Sequence, residues 1–303
     1  MLTELVTTVF CIVFGIVGYF YYKFRLANRV KAPKDVVIIY QVGRGPRAPS
    51  FSPFPMKLET FLRMAKIPYI NDHAARFSSK GKTPWIELNG IAVADSQLSI
   101  EYLKDTLGLE IDLHLTEEEK AIGRAFLKMT EENLYWTMCI EMFGDNLEPV
   151  KSVIPYRGFK LWTTVKLLRW AIRRQTWGHG IGRHTAEEVW AIAVKDLNAL
   201  STFLGDKKFL FGDKTSEIDC AIFGMIAQIY WHMPGSKHQV YLQDHLHNLV
   251  DYIHRMKDEF WPDWDSVTLE GSTYKSDHGV LYSKKNVISF NNTHNNTTLN
   301  GVS

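Results

Sequence analysis

The order of apolar and polar segments from Val36 to Leu103 constrains the fold of this 303-residue chain more than any other feature. The β-branched run Val36–Tyr40 predicts a short buried strand. Residues 54–66 have helical periodicity, and Pro55 is tolerated in the first turn of such a helix. Residues 96–107 predict a second helix, which ends at a glycine.

Between these two helices the pattern predicts three further strands. Residues 68–71 begin one strand, and Asn89-Gly90 is a strong hairpin signal between the apolar runs 85–88 and 91–94. The order strand, helix, strand, strand, strand, helix resembles a thioredoxin-like domain that holds a small thiol peptide. The sequence therefore predicts an α+β fold whose first domain covers residues 35–110.

The second part of the chain, residues 111–264, shows helical periodicity and no convincing strand. Thr116 followed by Glu119 is a capping box, and Ser216 followed by Asp219 is a second one, which we interpret as structural. An all-helical second domain is therefore predicted. Its candidate helices are residues 117–143, 156–175, 185–204, 216–233 and 242–260.

Residues 1–34 are predicted to form a single-pass membrane anchor and a basic linker. The segment Leu5–Tyr22 has 18 residues without a charge, which is enough to span a bilayer. A cleaved signal peptide is the alternative, but only Glu4 carries charge before the apolar run, and a small-residue cleavage site is missing. Positive side chains follow the run, so the positive-inside rule places the globular part in the cytosol. They are Lys23, Arg25, Arg29, Lys31 and Lys34.

Composition argues against several classes of function. The net charge is +2, with 35 basic and 33 acidic residues, so no nucleic-acid partner is expected. The three cysteines are far apart and do not suggest a disulfide framework, and the histidines lack metal-ligand spacing, so no metal site is expected. Residues 265–303 are polar, and we predict a disordered tail there.

Two short motifs of the first domain are suited to ligand binding. Pro84 directly precedes a strand and is expected to be cis, which would expose the Thr83 backbone to an extended peptide. A trans proline that starts the strand is the alternative. Asp95-Ser96 opens the second helix, whose free N–H groups and Ser96 hydroxyl could bind a carboxylate. A simple N-cap is the alternative there.

Ser52 and Tyr40 are the candidate catalytic residues. Ser52 lies where the loop enters the first helix, and its hydroxyl could stabilise a bound thiolate together with the positive end of the helix dipole. Tyr40, at the end of the first strand, could do the same. A role for Ser52 as the N-cap before Pro53 stays open, because capping uses the same hydroxyl.

These motifs together resemble the glutathione-transferase superfamily. Within it they resemble the failed axon connections family, which is related to metaxins and to nematode cadmium-responsive proteins. The segments that carry the resemblance are Ser52-Pro53-Phe54, Lys82-Thr83-Pro84-Trp85, Asp95-Ser96, Trp177–Arg183, Phe209–Asp213 with Ser216–Asp219, and Phe260–Trp264. The resemblance implies glutathione as the bound thiol, with its γ-glutamyl carboxylate at Asp95-Ser96. Omega-like transferases have a cysteine at the position of Ser52, and the closer family often has one at that of Pro55, so this chain lacks a nucleophilic cysteine at both.

Three functions follow from the resemblance. The first is a membrane-anchored glutathione-transferase-like protein whose site serves scaffolding or weak ligand binding, in axon development or in metal and stress response. The second is an active glutathione transferase that conjugates hydrophobic electrophiles. The third is a metaxin-like interaction subunit on an organelle surface, which contacts protein partners through its helical domain.

Overall fold

The computed structural model describes residues 15–16, 18–19, 23, 29–144, 147–154, 156–268 and 277–283. The predicted anchor Leu5–Tyr22 lies largely outside these residues. Within them, no helix combines the length and the apolar character that crossing a bilayer requires.

The first domain is built on a five-stranded sheet with the spatial order β4-β3-β1-β2-β5. Its strands are β1 (Val37–Tyr40), β2 (Tyr69–Asp72), β3 (Trp85–Leu88), β4 (Ile91–Ala94) and β5 (Leu281–Tyr282). The pair β1–β2 is parallel and the other pairs are antiparallel. The crossover between β1 and β2 is a helix, and β3 and β4 form the predicted hairpin, with Asn89 and Gly90 at positive φ.

Side chains of β1 alternate between the two faces of the sheet, as the pleat requires. Val37 and Ile39 pack against the two helices of this domain, α1 (Pro53–Met64) and α2 (Ser96–Leu107). The intervening Ile38 and Tyr40 contact Trp85 instead. Because of this alternation, the side chain of Tyr40 lies on the sheet face away from α1 and α2.

The second domain is helical, as predicted. Capping boxes open α3 (Glu117–Met129), α7 (Ala186–Leu204) and α8 (Glu217–Ala227). The Ser216–Asp219 box has the structural role that the sequence indicates, because Asp219 also accepts from the Leu210 N–H and the buried Tyr252 hydroxyl. π-helical turns at residues 130–134 and 228–232 interrupt the helical pattern. The helices are α3 (Glu117–Met129), α4 (Tyr135–Met142), α5 (Glu148–Val153), α6 (Gly158–His179), α7 (Ala186–Leu204), α8 (Glu217–Ala227), α9 (Lys237–His245), α10 (His247–Phe260) and α11 (Trp264–Val267).

The two domains join where α1 packs against α8. Gly224 of α8 allows this approach, because a Cβ atom there would lie 2.7 Å from the Pro53 carbonyl oxygen. A buried ion pair crosses the same junction, with the Lys57 Nζ 2.8 Å from a Glu131 oxygen. The domain boundary at residues 110/111 stays a prediction.

The prediction of a disordered tail from Asp265 is wrong for residues 265–268 and 277–283. Strand β5 pairs with β2, and Asp277 lies buried against the first domain. The Arg44 guanidinium bridges two carboxylates there, those of Asp277 (Nε to Oδ1, 3.0 Å) and Glu59 (Nη1 to Oε2, 2.7 Å). We name this group, Arg44, Glu59 and Asp277, the tail clamp. The polar composition misled the prediction because the residues that hold the tail are themselves ionic.

Candidate functional site

A cleft of about 480 Å³ lies where both domains contribute side chains. It brings together five of the six candidate residues, namely Ser52, Thr83, Pro84, Asp95 and Ser96. The sixth candidate, Tyr40, does not line it. The remaining lining residues are Phe54, Phe77, Lys80, Gly81, Lys82, Gln97, Lys128, Glu131, Glu132, Tyr135, Trp136 and Gln175.

The Thr83–Pro84 peptide bond is cis, as predicted. It directly precedes β3, so Thr83 lies just before the start of that strand and at the cleft wall. The Thr83 hydroxyl donates to the Tyr40 carbonyl oxygen at 3.0 Å, which ties this turn to the neighbouring strand β1. An extended ligand lying along the turn would therefore meet a backbone that both strands hold in place.

Asp95 and Ser96 divide two tasks at the start of α2. Asp95 is the N-cap, and its carboxylate accepts from the backbone N–H groups of Gln97 (2.8 Å) and Leu98 (3.3 Å). Its φ of 91° is a strained value for a residue other than glycine. Because Asp95 does the capping, the Ser96 hydroxyl is not needed for it. Ser96 is 4% exposed and lines the cleft.

Ser52 precedes α1 with an extended backbone, and its side chain makes no capping hydrogen bond. An N-cap side chain accepts from the N–H of the second or third helical residue. The third is Pro55, which has none, and Ser52 makes no hydrogen bond to the second, Phe54. The N-cap interpretation therefore does not account for the Ser52 hydroxyl, which borders the cleft.

Tyr40 lies away from the other candidates. Its ring stacks on Trp85 at a centroid distance of 3.8 Å, on the sheet face opposite α1 and α2. Its hydroxyl accepts from the Arg29 Nε at 2.7 Å and donates toward Glu87 at 3.4 Å. Burial raises the pKa of Tyr40 to about 12, despite the nearby Arg29. We therefore do not assign Tyr40 to the site; strand alternation, which is readable from the sequence, was the signal that would have excluded it.

The two cysteines among the described residues cannot serve as nucleophiles in the cleft. Neither lines it, and both are buried. Burial raises the pKa of Cys139 to about 12 and that of Cys220 well above its usual value. Since the thiolate is the reactive form, neither of these two cysteines supplies a reactive thiol to the cleft.

Charges of both signs line the cleft. Lys80 and Lys82 lie on the loop before Thr83, and Glu131 and Glu132 lie on the π-helical turn across from it. Glu132 pairs with Lys128 at 3.3 Å. Asp95 is the third carboxylate of the lining beside Glu131 and Glu132, and Lys128 is the third lysine beside Lys80 and Lys82. A lining with both charges suits a ligand that carries both carboxylates and an ammonium group.

An aromatic wall completes the cleft, and sequence reasoning missed it. It consists of Phe54, Phe77, Tyr135 and Trp136. Tyr135 meets Phe54 edge-on at 5.0 Å, and Trp136 lies 5.4 Å from the His179 ring. The adjacent aromatic pair was visible in the sequence, but the π-helical turn that directs it was not. Apolar surface beside a polar half allows the cleft to hold a peptide and a hydrophobic compound together.

Two further motifs have no role in the cleft. The glycine-rich segment 178–184 contains the last two residues of α6 and a short 3₁₀ turn, Ile181–Arg183, that leads to α7. In the part of the chain that the structure describes, no group of three or more His, Cys, Asp or Glu side chains could hold a metal ion.

Two family models match the chain. The glutathione S-transferase N-terminal domain matches residues 53–149, and the glutathione S-transferase C-terminal domain matches residues 193–256. A glutathione S-transferase of Ceriporiopsis subvermispora, solved in complex with glutathione, superposes with a TM-score of 0.53 at 16% identity over 74% of this chain and 97% of its own. At that identity the likeness concerns the fold alone. Fold and cleft thus define a protein of glutathione-transferase architecture.

Curated relatives narrow this class. Failed axon connections of Drosophila melanogaster is 32% identical over 79% of this chain and 62% of its own length. The isoprene-epoxide–glutathione S-transferase of Rhodococcus is 30% identical over 70% of this chain and 94% of its own. A metaxin-1 homolog of Caenorhabditis briggsae is 28% identical over 61% of each chain. The chain belongs to the failed axon connections and metaxin-like family of the glutathione-transferase superfamily, and it spans a little under two thirds of the failed axon connections relative.

Proposed function

We propose that the cleft binds glutathione and that the bound thiol is conjugated to a hydrophobic electrophile. The observation that carries this proposal is the meeting of Ser52, Thr83, Pro84 and Ser96 in one cleft beside an aromatic wall. The 30% identical isoprene-epoxide–glutathione S-transferase supports it, because that relative is matched over 94% of its length.

Each part of the ligand has a matching surface. The Thr83 backbone pairs with the extended peptide, and the first turn of α2 with the Ser96 hydroxyl takes the γ-glutamyl carboxylate. Lys80 and Lys82 attract glutathione through its negative net charge, and the Glu131 carboxylate accepts hydrogen bonds from its ammonium group. The ligand thiol then lies at the start of α1 beside Ser52.

The chemical step is a substitution at carbon. The thiol gives up its proton to solvent, and the Ser52 hydroxyl donates a hydrogen bond to the thiolate that remains. The sulfur forms a bond to a carbon of the electrophile, and the bond from that carbon to its leaving oxygen or halide breaks. For an epoxide, the released alkoxide takes a proton from water. The aromatic wall holds the apolar part of the electrophile.

Retention on immobilised glutathione and conjugation of 1-chloro-2,4-dinitrobenzene test the proposal. We expect Ser96→Ala to weaken retention and Ser52→Ala to lower the conjugation rate about tenfold or more, the effect of losing one hydrogen bond to a charged group. Ser79→Ala is the matched control, because Ser79 is exposed and does not line the cleft. Absence of both retention and conjugation in the unmodified chain would refute the function. Unchanged behaviour of Ser52→Ala and Ser96→Ala would refute the assignment of the site.

A membrane anchor at Leu5–Tyr22, with the globular part in the cytosol, is a further part of the proposal. Its support is the uncharged run of 18 residues followed by positive side chains. Resistance of the full chain to alkaline carbonate extraction is expected, and extraction into the soluble fraction would contradict it. The relation to failed axon connections extends the proposal to a role in axon development or in stress response.

A metaxin-like interaction subunit is the second candidate function. Metaxin-1 and metaxin-2 homologs are among the relatives, and an Arabidopsis thaliana relative bears the name mitochondrial outer membrane import complex protein. Proximity labelling by the anchored chain would then mark proteins of an import complex. Labelling without any such protein would rule this candidate out.

A further inference from the structure

Helix α6 has an unusual surface for an element of a folded domain. This 22-residue helix, Gly158–His179, contains five lysines and arginines and no acidic residue. Its buried side chains are Val165 and Thr176, and the partly buried Leu161 and Ile172 complete its contact with the core. Packing therefore uses one narrow face, and the composition of the exposed surface of the helix calls for a separate explanation.

The exposed side of α6 carries a line of large aromatic side chains. Spacings of three, four, four and seven residues place five side chains, four of them aromatic, on one side of the helix over a length of about 27 Å. Four aromatic members are exposed, by 78% for Phe159, 53% for Trp162, 62% for Trp170 and 61% for Trp177. We name this line the aromatic stripe: Phe159, Trp162, Lys166, Trp170 and Trp177.

Cations accompany the rings of the stripe. The Lys166 Nζ lies 4.2 Å from the centre of the Trp162 ring, and the Arg174 guanidinium lies 5.7 Å from that of Trp170. Arg183, just beyond the helix, lies 5.5 Å from Trp177. Each tryptophan thus has a positive group at its side, and the rings stay exposed. Tryptophan beside lysine or arginine on a surface helix is the composition of the membrane–water interface.

We propose that α6 is a membrane-binding helix that lies flat on an anionic lipid surface, with the aromatic stripe at the level of the headgroups. Charge complementarity favours this occupant, because phosphate and carboxylate headgroups match a helix with five cations and no anion. A second copy of the chain fits poorly, because a two-fold contact would bring two helix surfaces together that each carry cations and no acidic residue. The proposal concerns α6 alone and is separate from both the anchor and the proposed function.

The position of α6 gives this contact a consequence for the cleft. Gln175, on α6, lines the cleft, and His179 at the end of the helix lies against the cleft residue Trp136. A chain that rests on the aromatic stripe therefore holds its cleft on the far side of α6, about one helix diameter of 10–12 Å from the lipid surface.

Quenching of tryptophan fluorescence by brominated phosphatidylcholine tests the proposal on the full chain reconstituted in vesicles. The anchor does not interfere, because no tryptophan precedes Trp85. The stripe holds three of the nine tryptophans, so roughly a third of the emission is available to the quencher. We expect stronger quenching in vesicles of phosphatidylcholine and phosphatidylserine at about two to one than in phosphatidylcholine alone, and weaker quenching at high salt.

Variants identify the surface responsible. Lys166→Glu with Arg174→Glu should lower quenching in anionic vesicles to the value in neutral ones, whereas Lys195→Glu with Lys214→Glu, an equal charge change at exposed positions elsewhere, should not. Replacing Trp162, Trp170 and Trp177 by phenylalanine should abolish the lipid-dependent quenching. Circular dichroism confirms that each variant is folded.

Two results would overturn the proposal. One is quenching that depends neither on phosphatidylserine nor on the α6 charges. The other is an absence of quenching together with a self-association in detergent, seen by sedimentation velocity, that the Lys166→Glu and Arg174→Glu changes abolish. The second result would assign the aromatic stripe to a contact between copies of the chain.

Discussion

The tail clamp predicts that one residue near the C-terminus contributes strongly to stability. In Asp277→Asn the side chain keeps its size but loses its charge, and its amide N–H₂ then faces donors. Asp277 accepts from Arg44 at 3.0 and 2.5 Å, from His73 at 2.7 Å and from the Tyr282 hydroxyl at 3.0 Å. Burial acts to raise the pKa of Asp277, but Arg44 and His73 outweigh it and hold that pKa well below its usual range.

The magnitude follows from what remains after the change. Removing one partner of a buried ion pair costs about 3–5 kcal/mol when the other charge is left without compensation. Arg44 keeps its second carboxylate, Glu59, at 2.7 Å, so we expect the lower end, about 3 kcal/mol. For a chain of this size the urea midpoint should fall by about 1 M. The urea midpoint is measured by following the tryptophan fluorescence of the full chain in a mild detergent during unfolding.

Matched controls separate this effect from the loss of an ordinary ion pair. Lys208→Gln removes an exposed pair of 3.6 Å with Glu259 and should cost less than about 1 kcal/mol. A chain that ends at Thr268 should lose as much stability as Asp277→Asn, and a chain that ends at Ser283 keeps the clamp. If the midpoint of Asp277→Asn falls no further than that of Lys208→Gln, the clamp does not stabilise the fold and the reasoning is refuted.

Three other predictions concern buried titratable groups. Burial lowers the pKa of His232 to about 3, so below pH 6.5 the unfolded chain binds a proton at this side chain that the folded chain does not. Between pH 7 and 5 the unmodified chain should therefore lose about 2 kcal/mol more stability, measured by urea midpoints, than His232→Gln. An equal loss of stability in the two chains would contradict this. In a Cys11→Ser chain, Cys139 and Cys220 should react with an aromatic disulfide reagent at pH 8 only after unfolding in urea, and fast reaction of that chain in its native state would show that they are accessible. Tyr40→Phe should leave glutathione retention unchanged and lower stability by about 1 kcal/mol, because its hydroxyl only joins Arg29 and Glu87; lost retention would return Tyr40 to the site.

Local signals in the sequence were enough for most of the first domain. The Asn89-Gly90 hairpin, the capping residues and the proline before β3 each depend on a few neighbouring residues, and each occurs as predicted. Five candidate residues also meet in one cleft, because a shared fold pattern places them at the ends of β3, α1 and α2.

Long-range contacts were not predictable in this way. Nothing near Asp277 in sequence indicates that Arg44, more than two hundred residues earlier, will bind it. The π-helical turn at residues 130–134 adds a residue to a helical turn, and a regular helical pattern does not reveal it. That turn directs Glu131 and Tyr135 into the cleft, which explains why the second half of the site was missed.

The decisive question for catalysis is what the Ser52 hydroxyl does. The first and third residues of α1 are prolines, so two of the N–H groups that a capping side chain or an anion could bind are missing. The Phe54 N–H, at the second position, remains. The helix end alone then stabilises a thiolate weakly, since a full helix terminus contributes about 0.3–1 kcal/mol. A hydroxyl hydrogen bond to a charged sulfur contributes about 1.5–3 kcal/mol, enough to lower a thiol pKa by one to two units from about 8.5. Ser52 is therefore the one described group at the start of α1 with both the chemistry and the free hydrogen-bonding capacity to separate a transferase from a protein that merely binds glutathione.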